Sequence, residues 1–359
     1  MHRTRWTAKL AIVGVLLFLS ISTAAQKAHF AFLENPNGAP YASYALSSNG
    51  SVMAVNSGGE YYLWTSAGGF VDLGPGDFLS TAVGISGDGK TVMGSRVGPD
   101  GYVNPALWNQ ATGWIDLGHP SEGCVLDGSW GSGYDVSRDG TVAVGLAWYC
   151  PGAEGFQWTP QGGIVGLGHP PNSSSRASAV SADGSMIVGF YEDPTQGFRR
   201  PVRWVGGNTD LFAGDQTIGE ATGASSTGSK IVGQASDSTG FTHAFYYTHA
   251  GGLVSLGTLS GHAKDQSIAN AVANNGMTVG WSGDFFSTGI QAFVWSPKSG
   301  MGSMRKFLER NGAIIPSDLI LTTALDISAD GLTIVGQWQD TSFRVGGWIA
   351  RLRPGAVVP

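Results

Sequence analysis

The fold of this chain is decided by a short stretch that recurs along it. The cleanest copy reads Ala179-Val180-Ser181-Ala182-Asp183-Gly184-Ser185-Met186-Ile187-Val188-Gly189. Its Asp-Gly pair between two apolar runs is typical of a tight β-hairpin turn, because both residues tolerate positive φ. The β-branched run after the turn favours a second strand. The stretch therefore predicts two antiparallel strands, a and b, of a repeated unit.

Six further copies of this hairpin pattern follow one another along the chain. Three are close relatives with Asp-Gly turns, at Asp88, Asp139 and Asp330. Three are weaker and surround Asn49-Gly50, Thr227-Gly228 and Asn275-Gly276. Calcium binding by the recurring Asp residues is the less favoured interpretation, because Asn and Thr replace Asp in other copies without loss of the pattern.

Each copy continues with an apolar strand c that ends in an aromatic residue. The series is Trp64, Trp108, Trp158, Trp204, Tyr247, Trp295 and Trp348, a repeat of about 47 residues. After most of these a glycine turn leads into a short strand d that closes in Leu-Gly. Four strands at this period are the signature of a propeller blade. We predict an all-β chain that forms a single β-propeller of about seven four-stranded blades, or six if the first or last copy is only an edge.

The last copy ends at its strand c, Gly347 to Leu352, and lacks a strand d. A short extended segment, His29 to Leu33, precedes strand a of the first copy. We predict that this segment supplies the missing outer strand, so that the ring is closed by the mature N-terminal strand and no sheet edge is left exposed. Copy six carries a helix-like insertion, Met304 to Arg310, in place of the Leu-Gly ending.

The full pattern, Ala-x-x-Val-Ser-x-Asp-Gly-x-x-x-Val-Gly followed by Trp, Gly-Gly and Leu-Gly, resembles the bacterial extracellular HAF-repeat family. The resemblance covers roughly residues 40–353, and similar repeats occur in autotransporter-like and sorting-signal exported proteins. It implies a β-propeller-like repeat architecture and an extracellular location, and it defines no catalytic residues. The chain departs from the family in having no translocator domain and no sorting tail, which favours free secretion.

The first 25 residues are typical of an export signal. Arg3, Arg5 and Lys9 precede an apolar run from Leu10 to Ser22, which is too short to favour a membrane-spanning helix. We therefore expect a signal peptide at 1–25, the β-propeller repeat domain at 26–353 and a short tail at 354–359. The mature protein is expected to be secreted or periplasmic, with no membrane span after cleavage.

The composition narrows the class of partner. Glycine makes up 56 of the 359 residues, yet 12 Trp and 16 Phe remain to form a core. Without the three basic residues of the export signal, 17 basic residues face 26 acidic ones. This balance argues against a nucleic-acid partner, which needs clustered Lys and Arg. We expect a monomer whose partner is an extracellular polysaccharide or a protein.

The two cysteines, Cys124 and Cys150, are an isolated pair in a chain that is predicted to be exported. Such a pair is interpreted first as a disulfide. The predicted strand order places Cys124 in a d–a loop and Cys150 in a b–c loop of the same copy. Both loops belong to the face with connections of variable length, where repeat scaffolds concentrate function.

The same variable loops hold the candidate ligand-binding residues. They are His119, Trp130, Trp148, Tyr149, His169 and His262. Three imidazoles around one rim would suit a metal or an anionic ligand, although shaping of related loops is the favoured interpretation, because no metal-ligand spacing is present. The aromatic residues near the cysteines suit stacking on sugar rings or contact with a protein, and a small satellite core is an equal alternative. A basic group at Arg199, Arg200 and Arg203 is interpreted as a solvated face.

No catalytic residue, cofactor motif or metal motif is identified, because the chain has no nucleophile elbow, phosphate loop or Cys-x-x-Cys. The favoured hypothesis is a secreted binding or scaffold module that uses the variable-loop face. The alternative is an extracellular polysaccharide-active enzyme, a lyase or hydrolase, with a site in the central pocket; a structural role at the cell surface is a third. We expect an enzyme to show perturbed His or carboxyl groups in that pocket, and a binder to show a shallow aromatic surface.

Overall fold

A computed structural model of the chain describes residues 28–39, 41–77, 82–150, 152–213, 217–236, 240–262, 264–284 and 289–355. The predicted export signal, residues 1–25, and most of the predicted tail lie outside these ranges. Within them, no helix has both the length and the apolar character that crossing a membrane requires.

The described residues form seven separate four-stranded antiparallel sheets, the blades of a β-propeller. In strand order a to d, blades 1 to 3 comprise β2 (Ala42–Leu46), β3 (Val52–Ser57), β4 (Glu60–Thr65) and β5 (Gly69–Pro75); β6 (Gly84–Ile85), β7 (Thr91–Val97), β8 (Val103–Asn109) and β9 (Gly113–Asp116); and β10 (Gly131–Val136), β11 (Ala143–Trp148), β12 (Ala153–Thr159) and β13 (Gly163–Gly166).

Blades 4 to 6 comprise β14 (Ser175–Val180), β15 (Met186–Glu192), β16 (Arg199–Val205) and β17 (Asn208–Asp210); β18 (Gly219–Ala224), β19 (Lys230–Ser236), β20 (Thr242–Thr248) and β21 (Gly252–Ser255); and β22 (Gln266–Val272), β23 (Thr278–Asp284), β24 (Gly289–Ser296) and β25 (Gly300–Ser303). Helix α1 (Met304–Arg310) follows β25 and buries Met304, Phe307 and Leu308 between blades 6 and 7. The predicted helical insertion is therefore confirmed.

Blade 7 closes the ring by joining the two ends of the described chain. Its strands a to c are β26 (Leu319–Ile327), β27 (Thr333–Asp340) and β28 (Val345–Arg351), and its outer strand is β1 (His29–Leu33). Strands β1 and β28 are antiparallel, with His29 opposite Arg351 and Phe32 opposite Trp348. The predicted closure and the count of seven blades, rather than six, are confirmed.

In six of the seven blades, the turn between strands a and b depends on a serine and a side-chain acceptor two residues later; blade 6 has Ala273 in place of the serine. Ser181 Oγ donates a hydrogen bond to Asp183 Oδ1 at 2.6 Å and accepts one from the Met186 N–H at 3.0 Å. In the Asn49 copy, Ser47 Oγ donates to Asn49 Oδ1 at 3.1 Å. The recurring Asp residues thus serve the turn, as predicted from their replacement by Asn.

A β-bulge in strand a explains the glycine that ends the β-branched run of strand b. In blade 4 the register shifts between Ala177 and Ala179, and a Cβ on Gly189 would overlap the carbonyl oxygen of Arg176. A bulge leaves one residue out of the pairing and re-aims its side chain. Here the unpaired residues line a central channel, and they include Tyr134, Ser178, Thr222 and Asn270.

Neighbouring blades are held together by apolar side chains and by their turns. The described residues form seven hydrophobic clusters, one at each interface between blades. The repeated aromatic residues contribute to them, with Trp348 and Trp204 almost fully buried. Backbone hydrogen bonds also join adjacent a–b turns, for example from the Arg138 N–H to the Ala182 carbonyl at 3.0 Å. The ring is therefore one continuous packed structure.

Gly184 offers a test of the contact between blades. Its φ is +73°, and a Cβ there would lie 2.5 Å from Cγ2 of Val142 in blade 3. Gly163 also has positive φ, +63°, but open space around it. We expect Gly163→Ala to lower the free energy of unfolding by about 1 kcal/mol, from backbone strain alone. We expect Gly184→Ala to cost about 1–3 kcal/mol more, because Val142 must move. Urea unfolding measures both, and equal losses would contradict the interface contact.

Candidate functional site

The strand order sorts the connections onto two faces of the ring. Because each blade is antiparallel, its a–b and c–d turns lie at one end, and its b–c and d–a connections lie at the other. All six predicted ligand-binding residues fall in or beside the second group of loops. We call this end the variable face.

The predicted disulfide is confirmed. Cys124 and Cys150 are bonded, with their Cα atoms 5.9 Å apart and a sequence separation of 26. The bond joins the loop that leads into blade 3 to the b–c loop of the same blade. A hydrogen bond from the Cys124 N–H to the Trp148 carbonyl, 2.9 Å long, runs alongside it.

The loop that begins at Cys124 folds back on blade 2. Leu126 and Ser129 exchange two backbone hydrogen bonds around Asp127 and Gly128, which both have positive φ. The start of strand β8 then pairs with this turn, because the Val103 N–H donates to the Gly128 carbonyl at 2.9 Å. Trp130, the residue that follows this turn, donates its backbone N–H to the Val103 carbonyl at 2.8 Å. These bonds fix Trp130 over the b–c loop of blade 2.

The result is a partly exposed group of rings formed by Tyr102, His119 and Trp130, which we call the aromatic patch; Tyr102 and His119 are exposed and Trp130 is partly buried. The His119 ring lies parallel to the Trp130 ring, with centroids 3.7 Å apart and planes 9° apart. Tyr102 meets Trp130 edge to face at 6.2 Å and is 41% exposed. The indole N–H of Trp130 donates to Asp100 Oδ2 at 2.8 Å. The ring positions are thus held from several sides.

Trp148 is bonded to the patch through its backbone, and Tyr149 lies in the neighbouring core. The Trp148 N–H donates to the Trp130 carbonyl at 3.0 Å, and its side chain is half-buried. Tyr149 packs against the cluster between blades 2 and 3. Burial, followed by the charges of Glu154 and Glu122, raises the pKa of Tyr149 to about 12. The satellite-core interpretation therefore fits Tyr149, whereas Trp130, which is also partly buried, stacks on the exposed His119 ring.

The three predicted histidines lie in separate loops. His119 and His169 have the same local geometry, with Nδ1 at 3.0 Å and 2.8 Å from the carbonyl of the following proline. His262 is exposed in the loop before β22. In the described ranges no contact joins any two of them, and no three His, Cys, Asp or Glu side chains are grouped as metal ligands. The structure brings only His119 to the aromatic patch.

Sequence reasoning missed Tyr102 and Asp100. Both belong to the b–c loop of blade 2, one blade before the disulfide. The available signal was an aromatic residue after the turn Pro99-Asp100-Gly101, in a loop of the variable class. Its neighbour, Trp130, lies 28 residues further along the chain and could not be assigned to it without the arrangement of the blades.

A second group of polar side chains lies in the central channel, whose cavity is about 240 Å³. Asp135 Oδ2 accepts the Val180 N–H of blade 4 at 2.9 Å, and its Oδ1 accepts the Val136 N–H at 2.8 Å. Asp326 makes the equivalent bonds across the closure, accepting the Leu46 N–H of blade 1 at 2.7 Å. Each carboxyl therefore links one blade to the next.

Burial raises the pKa of both channel carboxyl groups. The pKa of Asp135 rises to about 6. The pKa of Asp326 rises to about 7, where the charge of Asp135 adds to burial. Ala occupies the same repeat position in blades 1, 4 and 6, at Ala45, Ala179 and Ala271. The sequence pattern had singled out neither Asp residue.

The basic group predicted to be a solvated face is ion-paired instead. Arg200 is only 2% exposed and contacts Asp193 at 3.0 Å. Arg203 pairs with Asp210, and Arg199 with Glu220 at 2.9 Å. The solvated-face interpretation is wrong for Arg200, because an acidic residue of the adjoining b–c loop lies within reach of its buried guanidinium.

No protein-family model matches the chain, and no curated protein matches it. Among solved structures it is similar to the β-propeller domain of the Trilobed protease from Pyrococcus furiosus, reported to have an open velcro topology. The identity is 9%, the match covers 93% of this chain and 100% of that one, and the TM-score is 0.58. In this chain, by contrast, β1 closes the last blade.

This chain is also similar to about half of each of two further solved structures. Acylaminoacyl peptidase is 11% identical over 90% of this chain and 54% of that one, with a TM-score of 0.54. TolB from Acinetobacter baumannii is 14% identical over 59% of this chain and 53% of that one, with a TM-score of 0.45. The chain thus spans about half the length of each. At identities this low, the protease and peptidase likenesses show the propeller fold alone.

Loss of the disulfide should destabilise the protein. Because the bond closes a loop of 26 residues, replacing Cys124 and Cys150 together by Ser should lower the free energy of unfolding by about 3–4 kcal/mol. Urea unfolding with and without a reducing agent measures this. Reduction should reproduce the loss in the natural chain and have no effect on the double variant. An unchanged midpoint on reduction would contradict the expectation.

The channel carboxyl groups should make stability depend on pH. Their raised pKa values stabilise the folded chain fully below pH 4, and this contribution disappears as the pH rises through 6 to 7. Asp135→Ala and Asp326→Ala should therefore destabilise the protein more at pH 4.5 than at pH 8. Because both carboxyl groups face the channel, solvent there screens part of this effect. We therefore expect the cost of each substitution to differ by about 1–2 kcal/mol between the two pH values. Denaturant unfolding at both pH values measures it, and a pH-independent cost would refute the assignment.

Proposed function

We propose that this protein is an exported binding module that engages an extracellular partner through the aromatic patch on the variable face. The observation that carries the proposal is the stack of the exposed His119 ring on the partly buried Trp130, flanked by the exposed Tyr102. Single exposed apolar residues are common on protein surfaces, whereas exposed aromatic rings in contact with one another are typical of binding surfaces. Repeat scaffolds bind through such loops.

Rigidity of the patch supports the same proposal. Trp130 is held by its backbone bond to Val103, by its indole bond to Asp100 and by the nearby disulfide. A preformed surface loses little conformational entropy when a partner binds, so more of the contact energy appears as affinity.

The proposed compartment is the periplasm or the cell exterior. The disulfide supports an oxidising environment, in line with the export signal expected at residues 1–25. From the repeat motif, we also propose that the chain belongs to the HAF-repeat family. Its partner is an extracellular polymer.

The channel carboxyl groups are the observation that favours a second candidate, an enzyme acting on polysaccharide. Raised pKa values are typical of general acids. However, each oxygen of Asp135 and Asp326 already accepts a backbone N–H. The cavity of about 240 Å³ is also smaller than the ~300–1,000 Å³ of most ligand pockets. Linkage of the blades accounts for both residues, so binding at the patch remains the first proposal.

A retention assay on insoluble extracellular polysaccharides tests the proposed function. Mature protein should be retained by at least one polymer of the panel. Trp130→Ala and Tyr102→Ala should each weaken retention about tenfold, because each removes a ring from the contact surface. Phe343→Ala is the matched control, since Phe343 is 81% exposed on a b–c loop of blade 7, away from the patch. It should leave retention unchanged.

Three other results would contradict the proposal. Retention that both patch variants preserve would place the binding surface elsewhere. Release of soluble sugar, lost in Asp135→Ala or Asp326→Ala, would establish the enzyme in the channel instead. Failure of every polymer to retain the protein would remove polysaccharide as the partner.

A further inference from the structure

The loops around the aromatic patch carry a one-sided charge. Between residues 97 and 130 there are four acidic side chains and no Lys or Arg. All four, Asp100, Asp116, Glu122 and Asp127, are exposed. Across the described parts of the chain, none of them forms an ion pair. The nearest basic residue in sequence, Arg96, lies opposite Asn104 in the sheet and donates to the Pro75 carbonyl, so the region keeps an excess of negative charge.

Two of these carboxylates are held at the edge of the ring stack. Asp100 Oδ1 and Asp116 Oδ2 both accept from the buried Asn104 Nδ2, at 3.2 Å and 3.1 Å. Asp100 also accepts the indole N–H of Trp130. A neutral amide links the two carboxylates without cancelling their charge, so one negative charge lies beside the Trp130 ring and a second is held next to it.

Carboxylates next to aromatic rings are the chemistry that recognises an organic cation. The ring face attracts a positive charge through its quadrupole, and a carboxylate adds a charge-assisted hydrogen bond. A uronate or sulfated polymer would instead be repelled by the four acidic residues. Charge complementarity thus selects a partner that carries protonated amino groups.

The rigidity of the patch favours an amino sugar over a lysine side chain. An amino group on a pyranose is fixed relative to the flat apolar face of its ring, and that face can cover an aromatic side chain. A lysine ammonium sits on a flexible four-carbon stem and loses rotamer entropy when it is held. A preorganised surface gains most from a preorganised ligand.

We propose that the aromatic patch binds a glycan whose sugar rings carry free amino groups. This rests on the proposed function, because it names the partner of the same patch. The tested probes are beads of chitosan, a polymer of glucosamine, and beads of chitin, its acetylated and uncharged counterpart. At a pH where the amino groups are protonated, we expect at least about tenfold stronger retention on chitosan, reduced by added salt.

The sequence offers a closely matched pair of variants for the charge. Asp116 and Asp72 occupy the same place in the Asp-Leu-Gly ending of strand d, and each accepts the glycine N–H through Oδ1 at 2.7 Å. Asp72 lies in blade 1, outside the patch. Asp116→Asn should weaken retention on chitosan about fivefold. Asp72→Asn should change it less than twofold.

The outcomes separate this inference from the proposed function. Equal retention on chitin and chitosan that Trp130→Ala still abolishes would overturn the amino-sugar inference and leave the binding function intact. Preference for polylysine-coated beads over chitosan would also overturn it, in favour of a basic protein partner. Retention on chitosan that is unaffected by Trp130→Ala and Asp116→Asn would overturn both.

Discussion

The pairing of β1 with β28 is the contact on which the ring depends. It joins residues more than 300 positions apart and gives blade 7 its outer strand. Phe30 stacks on Trp348 behind this pairing, and Leu33 enters the cluster between blades 7 and 1. The bond from the Leu46 N–H to Asp326 crosses the same seam. The N-terminal segment therefore completes the outer edge of blade 7 and contributes side chains to the interfaces on both sides of that blade.

Within the ring, the same a–b turn and the same strand pairing recur in most blades. A serine and an acceptor two residues later fix the a–b turn, and the bulge of strand a faces the glycine of strand b. Because these devices recur in blade after blade, they explain the scaffold and cannot distinguish one blade from another. Specific function must therefore reside where a blade departs from the pattern. Two departures stand out, the channel carboxyl groups and the loops of blades 2 and 3.

The sequence predicted what is set by short-range chemistry and spacing. The hairpins, the blade count, the closing strand and the Cys124–Cys150 bond belong to this class. It did not predict contacts that depend on how one blade is rotated against the next. Tyr102 meets Trp130 across two blades, and Asp135 reaches the Val180 N–H of its neighbour. Arg200 was misread for a different reason: its partner Asp193 lies seven residues earlier in the b–c loop of the same blade, and the sequence did not show that the guanidinium would be buried.

The two departures differ in what they leave for a partner. The oxygens of Asp135 and Asp326 are already bound to backbone N–H groups of their own and adjacent blades. The patch instead presents partly exposed rings and unpaired negative charge. The only two cysteines of the chain stabilise the loops beneath it and not the closing seam. Packing between blades already secures the seam, whereas a long surface loop has no such support. The covalent bond is therefore placed where it helps to hold Trp130 beside the exposed rings of His119 and Tyr102, and this placement supports the proposal that the patch serves a binding partner.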